Sequence, residues 1–320
     1  MHAEPAFAAI DWGTTRLRAW LLDAAGAVVA ERRSDEGLLA VQRDRFAAVL
    51  EEHLGAMGAT ATLPVMMCGM VGSRQGWIEA PYVATPAHFD AILGGAIAIP
   101  GTRRDIRIVP GVAQRDSERP DVMRGEETQL AGIASLHGAS LHGADLLVCM
   151  PGTHCKWVSI GDGVVTQFAT WLTGELFSVL STQSILRHAL GPNPAKVSAD
   201  DPVFLHWLDD GLAHPGDTVS RLFRIRASTL LLDMQPDAAA AALSGLLLGN
   251  EIASAREQFA SAGSDIVLVA SGGLGDLYAV ALARAGYTAT PTDAETAVRK
   301  GLLEAAHRNF GLDAGRRATA

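Results

Sequence analysis

Apolar positions in the first part of the chain alternate with polar ones or form short runs, which predicts β-strands. Three consecutive strands are expected at 7–11, 16–22 and 28–33, with a tight turn at Gly13 between the first two. A helix is expected at 44–57, where apolar residues recur at helical spacing. This order of a hairpin, a third strand and a helix predicts an α/β domain.

The same pattern occurs again in the second half of the chain. A strongly apolar strand is expected at 146–150, followed by a turn at Gly152 and by two more strands at 155–160 and 164–169. Gly-Thr occupies the same place in both units, at residues 13–14 and 152–153. The repetition predicts two related domains.

The remaining pattern predicts further buried strands and a series of helices. Strands are expected at 63–67, 107–110 and 265–271, and helices at 126–136, 173–190, 238–262, 277–285 and 293–307. The stretch 191–216 is rich in Pro and Asp and is expected to form a surface excursion. Arg124-Gly125, shortly after Pro120, is the expected joint between the halves.

The two turns carry groups that bind phosphate. Backbone N–H groups of a Gly-containing turn and neighbouring hydroxyl groups can surround phosphate oxygens. Asp11, where the first strand ends, can hold a divalent cation directly or through water. A third Gly-rich turn at 271–275 differs from the G-x-G-x-x-G pattern of dinucleotide-binding folds. It suits an adenosine better, because glycines let the backbone approach a flat base.

Three motifs resemble the phosphate-1, phosphate-2 and adenosine motifs of the actin-like ATPase superfamily. They are Asp11-Trp12-Gly13-Thr14-Thr15, Pro151-Gly152-Thr153-His154 and Ser271-Gly272-Gly273-Leu274-Gly275. A finer resemblance is to the 2-dehydro-3-deoxygalactonokinase family, which carries versions of three more segments. These are Cys68-Gly69-Met70-Val71-Gly72-Ser73-Arg74-Gln75-Gly76-Trp77, Arg124-Gly125-Glu126-Glu127-Thr128-Gln129 and Leu172-Thr173-Gly174-Glu175-Leu176-Phe177.

The resemblance extends from about residue 7 to 310 and implies both a fold and an activity. The fold is α/β: a two-domain ribonuclease H-like (actin-like ATPase) fold of mixed sheets and helices, with an active-site cleft between the domains. The domains are expected at 1–118 and 119–320, with the last helix able to pack back on the N-terminal domain. The activity is ATP-dependent phosphorylation of 2-dehydro-3-deoxy-D-galactonate to its 6-phosphate, in galactonate catabolism.

The resemblance assigns most of the ATP site. The residues expected to bind ATP are Gly13, Thr14, Thr15, Gly152, Thr153, His154, Gly272, Gly273 and Gly275. Phosphoryl transfer also needs Mg²⁺, assigned to Asp11, and a carboxylate to receive the hydroxyl proton. In related sugar kinases an Asp follows a Gly at the start of a helix, and Gly125-Glu126 occupies that place here. Glu127 adjoins it, so the choice of base is open, and both acids could instead complement only the helix dipole.

A sugar acid presents a carboxylate, which calls for Arg, Lys or backbone N–H donors in its pocket. The residues expected to bind the substrate are Ser73, Arg74, Gln75, Trp77, Thr173 and Glu175. Arg74 is the expected carboxylate partner, and Trp77 a wall of the pocket. The alternatives are that Arg74 forms a surface ion pair and that Glu175 only caps its helix.

Composition excludes several classes of partner. The net charge is −9, without a basic cluster, which argues against nucleic acid and anionic membranes. The N-terminal residues lack a signal-peptide layout, and no apolar run is expected to span a membrane. Three cysteines without paired spacing indicate a reduced, cytoplasmic setting. A zinc site at Cys149, His154 and Cys155 matches no common ligand spacing.

Two other functions stay open at this stage. One is a kinase for a different sugar acid or a hexose. The other is a non-catalytic, nucleotide-dependent regulatory module of the same fold. A homo-oligomer is compatible with all three functions.

Overall fold

The computed structural model describes residues 4–137, 146–192 and 196–312. The strands in these ranges are β1 (Phe7–Trp12), β2 (Leu17–Leu22), β3 (Val28–Ser34), β4 (Val65–Gly69), β5 (Tyr82–Ala84), β6 (Ala87–His88), β7 (Ile97–Ala98), β8 (Ile106–Ile108), β9 (Gly111–Gln114), β10 (Asp121–Met123), β11 (Leu146–Met150), β12 (Cys155–Gly161), β13 (Val164–Trp171), β14 (Asp265–Val269) and β15 (Thr288–Thr292). The helices are α1 (Phe46–Ala56), α2 (Phe89–Gly94), α3 (Glu126–His137), α4 (Thr173–Gln183), α5 (Arg187–Leu190), α6 (Pro202–Ala213), α7 (Thr218–Leu231), α8 (Pro236–Gln258), α9 (Gly273–Arg284) and α10 (Ala294–Phe310).

Contacts divide the chain into two compact units. The first unit contains Met1–Ala144, Asp162–Gln167 and Ala294–Ala320, and the second contains Asp145–Gly161 and Phe168–Asp293. The predicted domain boundary between residues 118 and 119 stays a prediction, and the contact-based units run differently from it. Residues 119–137 and the final helix group with the first unit.

The main sheet of the first unit has the order β3-β2-β1-β4-β8-β7. β1 pairs antiparallel with β2, and β2 pairs antiparallel with β3. On its other side β1 pairs parallel with β4, and β4 pairs parallel with β8. Helix α1 covers one face through Phe46, whose ring lies 4.9 Å from that of Trp12. Helix α10 contacts β1 and β4, so the central strands are buried on both faces, as their nearly continuous apolar sequences predict.

The same arrangement recurs in the other six-stranded sheet, whose order is β15-β14-β11-β12-β13-β6. β11 pairs antiparallel with β12 and parallel with β14, and β14 pairs parallel with β15. Each unit therefore places a hairpin strand at the centre, antiparallel strands on one side and parallel strands on the other. This is the ribonuclease H-like order, so the predicted fold class and the predicted repeat are confirmed.

The prediction of a surface excursion at 191–216 is wrong for most of this stretch, because α6 lies within it. Asp201 caps this helix by accepting hydrogen bonds from the backbone N–H groups of Val203 and Phe204, and Pro202 occupies the first turn. Phe204, Trp207 and Leu208 are buried against α8. The Pro and Asp that suggested a loop are helix-start residues, and the helical spacing of the aromatic residues was the signal that counted.

The single helix expected at 173–190 is interrupted after Gln183. Ser184 has an extended backbone, and its Oγ donates to the carbonyl oxygen of Leu180 at 2.6 Å. The same Oγ accepts from the backbone N–H of Leu186 at 3.1 Å. A serine side chain that binds the backbone in this way competes with the helical hydrogen bonds. Two helices, α4 and α5, result.

Helix α8 is long and apolar enough to cross a membrane by length and composition, which the sequence analysis did not anticipate. However, 83% of its apolar window is buried. Alanines and leucines cover it all round, and it packs against α6, α7, α4 and α5. Burial on every side is typical of the core helix of a soluble protein.

Candidate active site

Two glycines bring the start of α3 to the carboxyl ends of β1 and β4. Gly69 has φ +90°, and a Cβ there would lie 2.7 Å from the carbonyl oxygen of Trp12. Gly125 has φ +108°, and its Cβ would lie 3.3 Å from the Cα of Gly69. Both positions favour glycine because of their positive φ and their close backbone contacts. The contact places Glu126 close to Asp11, at the edge of the sheet where α/β proteins bind ligands.

Asp11 has a carboxyl group with only weak protein partners. Its Oδ2 lies 3.5 Å from Nη1 of Arg18, the residue that pairs with Asp11 on the neighbouring strand β2. Its Oδ1 lies 3.9 Å from the thiol of Cys68. Burial raises the pKa of Asp11 above its ordinary value, Arg18 opposes this shift, and the nearby Glu126 adds to it. A hard, poorly paired carboxylate oxygen suits a divalent cation such as Mg²⁺.

The two acids at the start of α3 occupy different environments. Glu127 is completely buried, and its oxygens accept from the backbone N–H of Gly125 at 2.6 Å and from Oγ1 of Thr128 at 3.1 Å. Burial and the neighbouring Glu126 raise the pKa of Glu127 to about 8. Glu126 is only half-buried, and its Oε2 accepts from the backbone N–H of Arg124 at 3.0 Å. Of the two, Glu126 is the carboxylate that a substrate could approach.

The predicted phosphate-1 turn is anchored through its backbone. The N–H of Gly13 donates to the carbonyl oxygen of Arg16 at 2.8 Å. The carbonyl oxygens of Gly13 and Thr14 accept from the backbone N–H groups of Leu38 and Leu39, each at 3.0 Å. Thr14 and Thr15 are exposed. The turn is therefore fixed while its two hydroxyl-bearing side chains face outward.

The predicted substrate loop after β4 divides into buried and exposed parts. Ser73 is only 6% exposed, whereas Arg74 and Gln75 are exposed. Trp77 is half-buried and stacks on Phe46 with ring centroids 6.3 Å apart, so it packs on the core of the first unit. The roles of these four loop residues toward a substrate stay predictions.

In the second unit, the phosphate-2 turn is held against the start of α4. The carbonyl oxygen of Thr153 accepts from the backbone N–H of Glu175 at 3.0 Å. A Cβ on Gly174 would lie 2.4 Å from the carbonyl oxygen of Gly152, so only glycine allows this approach. His154 Nε2 and Glu175 Oε2 are 2.5 Å apart, and each side chain is about half exposed. The positive end of the α4 dipole therefore lies beside the predicted phosphate turn.

A cavity of about 310 Å³ in the second unit joins the phosphate-2 turn to the Gly-rich loop at 271–275. Its lining includes Gly152, Thr173, Gly174, Phe177, Lys196, Ser244, Leu247, Leu248, Gly273, Leu274, Leu277 and Tyr278. Gly272, with φ +67°, precedes α9, and the N–H of Gly275 donates to its carbonyl oxygen at 2.9 Å. A mainly apolar pocket of this size with a few polar groups is typical of a small-ligand site.

Sequence reasoning missed Glu251, which is 1% exposed and lies on α8 beneath this cavity. Its Oε1 accepts from Nε1 of Trp157 at 2.8 Å, and its Oε2 accepts from the hydroxyl of Tyr278 at 2.8 Å and from that of Thr173. Glu251 thereby ties β12, α4 and α9 together, three elements beside the cavity and the phosphate-2 turn. The signal available in the sequence was an acid in the interior of an Ala/Leu-rich helix.

The group formed by Cys149, Cys155 and Glu251 is close enough to be tested as a metal site. Their ligand atoms lie within 4.8 Å of one another. Both Glu251 oxygens already accept hydrogen bonds, and burial raises the pKa of both thiols. His154 pairs with Glu175 instead of joining the cysteines. These facts favour a hydrogen-bonded core cluster over a zinc site.

Two units that each repeat the ribonuclease H-like strand order have the fold expected of the actin-like ATPase class, which includes sugar kinases. Within this class, the chain belongs to the 2-keto-3-deoxy-galactonokinase family, whose model matches residues 11–305. The predicted family is therefore confirmed, and with it the use of ATP that a kinase family implies.

Two relatives and one solved structure agree with this assignment. The chain is 47% identical over 308 residues to the probable 2-dehydro-3-deoxygalactonokinase DgoK1 of Rhizobium meliloti strain 1021, covering 96% of this chain and 98% of that protein. It is 38% identical over 301 residues to the 2-dehydro-3-deoxygalactonokinase of Escherichia coli strain K12, covering 94% and 97%. A crystal structure assigned to the same activity, from Sinorhizobium meliloti, has 46% identity and a TM-score of 0.88 over 94% of this chain and 98% of that one.

Proposed function

We propose that this chain transfers the γ-phosphoryl group of ATP to the terminal hydroxyl of 2-dehydro-3-deoxy-D-galactonate, giving the 6-phosphate. Family membership supports the substrate class. The observation that carries the chemistry is the approach of Glu126 to Asp11 through the Gly69–Gly125 contact. A proton acceptor and a cation ligand are thereby brought together beside a phosphate turn, as phosphoryl transfer requires.

Glu126 is the proposed general base, because it is the accessible carboxylate of the pair and is held by the Arg124 N–H. It accepts the proton of the attacking hydroxyl group as the bond to phosphorus forms. Glu127 holds the start of α3 in place, because its carboxyl oxygens accept hydrogen bonds from the backbone N–H of Gly125 and the hydroxyl of Thr128. An interaction of Glu126 with the dipole of α3 does not by itself explain why this side chain is accessible and lies close to Asp11.

Asp11 is the proposed Mg²⁺ residue, directly or through water. Among the described residues, the donors to its carboxylate are Arg18 Nη1 at 3.5 Å and the Cys68 thiol at 3.9 Å, both long contacts, and such an oxygen matches the preference of Mg²⁺. When bound, Mg²⁺ neutralises charge on the phosphate oxygens. Arg18 orients the Asp11 carboxylate from the neighbouring strand.

Each unit supplies part of the proposed substrate contacts. In the first unit, Gly13, Thr14 and Thr15 bind phosphate, while Ser73, Arg74, Gln75 and Trp77 border the sugar acid. In the second unit, Gly152, Thr153 and His154 bind phosphate, and the cavity beside Gly272, Gly273 and Gly275 takes the adenosine. Thr173 and Glu175 are assigned to the substrate. Thr173 lines this cavity, and Glu175 pairs with His154.

The proposal places the enzyme in the cytoplasm, with no nucleic acid or membrane partner. The net charge of −9 and three unpaired cysteine thiols support this setting. A homo-oligomer stays compatible with it.

Turnover of Glu126→Gln beside Glu127→Gln tests the proposed base. ADP release coupled to the sugar acid should fall by about 10²–10⁴-fold in kcat for Glu126→Gln, because a glutamine cannot accept the proton. Glu127→Gln should lose less than about tenfold, and chelation of Mg²⁺ should abolish turnover.

Glu118→Gln, at an exposed acid of the same unit, is the matched control. A larger loss in Glu127→Gln than in Glu126→Gln would reverse the assignment. Wild-type protein that releases no ADP with any 2-keto-3-deoxy sugar acid would overturn the proposed activity. Preferential turnover of a hexose would favour the alternative substrate.

A further inference from the structure

Arg124 has a guanidinium group whose hydrogen-bonding capacity is only partly used. Its Nη2 donates to the carbonyl oxygen of Ala80 at 2.8 Å, and its Cζ lies 4.3 Å from the centre of the Tyr82 ring. Its Nε and Nη1 are buried, and neither has a hydrogen-bond partner in the described ranges 4–137, 146–192 and 196–312. The guanidinium is thus held in one plane while two of its nitrogens stay unsatisfied.

Unsatisfied buried donors require an explanation. A buried donor without a partner loses its hydrogen bonds to water without replacing them, and this penalty is larger when the donor carries charge. Most buried polar groups in folded proteins therefore have partners. The energetic cost is recovered if an anionic ligand completes the hydrogen bonds of Arg124.

A second unsatisfied group lies on the neighbouring loop. Ser73 is 6% exposed, and its Oγ is buried without a partner in the part of the chain that the structure describes. The loop contacts Arg124 directly, since a Cβ on Gly72 would lie 3.0 Å from Nη1 of Arg124. The two residues whose donors lack partners therefore lie on two segments that touch at Gly72.

The position of Arg124 relates these donors to the chemistry. Its backbone N–H donates to Oε2 of Glu126 at 3.0 Å, so the guanidinium is anchored two residues from the proposed base. A sugar acid carries a carboxylate at one end and the hydroxyl to be phosphorylated at the other. The planar guanidinium matches a carboxylate in geometry and charge.

We propose that Arg124 binds the carboxylate of the sugar acid, with Ser73 Oγ as a second donor to the same substrate. The inference rests on the proposed function and makes it specific for an acid over a neutral sugar. It assigns the carboxylate to Arg124 in place of Arg74, which is exposed on the loop.

Kinetics with a charged and an uncharged substrate test this proposal. KM for 2-dehydro-3-deoxy-D-galactonate should rise about 10–100-fold in Arg124→Gln, while KM for ATP changes less than about twofold. Arg124→Lys should raise KM for the acid less than Arg124→Gln does, because lysine keeps the positive charge but lacks the planar pair of donors of a guanidinium group. The methyl ester of the acid should be used equally by wild type and Arg124→Gln, since the charge that Arg124 recognises is absent.

Control variants and thermal unfolding separate binding from structure. Arg103→Gln, at an exposed arginine of the same unit, should leave both KM values unchanged. The melting temperatures of wild type, Arg124→Gln and Arg103→Gln show whether the loss of binding reflects a loss of structure, since Arg124→Gln removes the contacts with Ala80 and Tyr82 together with the two unsatisfied donors. Equal losses on the acid and the ester, or a rise in KM for the acid in Arg74→Gln alone, would overturn the Arg124 assignment while leaving the kinase activity intact. A wild-type enzyme inactive on sugar acids would overturn both.

Discussion

Glu127 combines complete burial with two hydrogen bonds to its carboxyl group. Removing a carboxylate from water favours its protonated form, and Glu126 beside it adds like-charge repulsion. These effects outweigh the hydrogen bonds that favour the ionised form and raise the pKa to about 8 from the ordinary 4.5. Between these two values the folded protein therefore binds more protons at this position than the unfolded chain does.

Stability should consequently fall as pH rises through the range from 4.5 to about 8. Glu127→Gln removes this titration, so its free energy of unfolding should depend less steeply on pH, by a difference on the order of a few kcal/mol across the range. Urea unfolding at pH values from about 5 to 9 measures the difference.

The comparison between variants is needed because burial also raises the pKa of Asp11 and Glu251. Glu118→Gln, at an exposed acid of the same unit, serves as the control, since it keeps both Glu126 and the Glu127 carboxyl group. Parallel pH profiles for wild type and Glu127→Gln would contradict the prediction.

At the scale of elements, glycines set how closely helices pack. A Cβ on Gly132 of α3 would lie 1.9 Å from the carbonyl oxygen of Ala297 on α10, and a Cβ on Gly301 would lie 1.9 Å from that of Thr128. The two helices thus cross with their backbones in contact. In the second unit, Gly211, Gly245 and Gly249 give the same close approach between α6 and α8.

Gly132→Ala and Gly301→Ala should each destabilise the fold by about 2–3 kcal/mol or more. Backbone atoms must move to admit the methyl group, and this exceeds the gain of about 1 kcal/mol in helix propensity. Gly55→Ala in α1 is the matched control, because nothing lies within 4 Å of its Cβ position. It should leave stability unchanged or raise it by up to about 1 kcal/mol. Chemical denaturation measures all three, and equal stability of the Gly132 and Gly55 variants would be inconsistent with a backbone contact.

At the scale of the whole molecule, the two units have the same strand order but different site chemistry. The first unit contains the acidic centre, the phosphate-1 turn and the proposed sugar-acid loop. The second contains the phosphate-2 turn and the cavity assigned to adenosine. The first unit therefore has a carboxylate-rich site, and the second unit has a mainly apolar cavity.

Hydrogen exchange should separate these assignments. A non-hydrolysable ATP analogue alone should slow exchange in the second unit at 152–154 and 271–276, because nucleotide phosphate and base cover those backbone groups. The sugar acid alone should slow exchange in the first unit at 72–77 and 124–127. Residues 103–104 serve as an internal reference in each case. Protection by the sugar acid confined to the second unit would contradict the assignment.

Sequence alone located most of the proposed site, because its motifs follow strands whose ends are easily recognised. Asp11, Gly152 and Gly273 each lie where a strand ends or a helix starts, as predicted. The different environments of Glu126 and Glu127 could not be read in the same way. One residue along a helix turns a side chain by about 100°, and only the packing around Gly69 and Gly125 decides which acid is covered.

The sequence by itself determined the internal repeat and its Gly-containing turns, since strand periodicity and turn residues act locally, and its motifs implied the fold class through the family resemblance. Only the tertiary structure placed Asp11 beside Glu126, buried Glu251 beside the cavity proposed for adenosine, left Arg124 with unsatisfied donors and turned 202–213 into a packed helix. Those features depend on residues far apart in the chain. Their burial, pairing and charge arise only when non-local elements pack together.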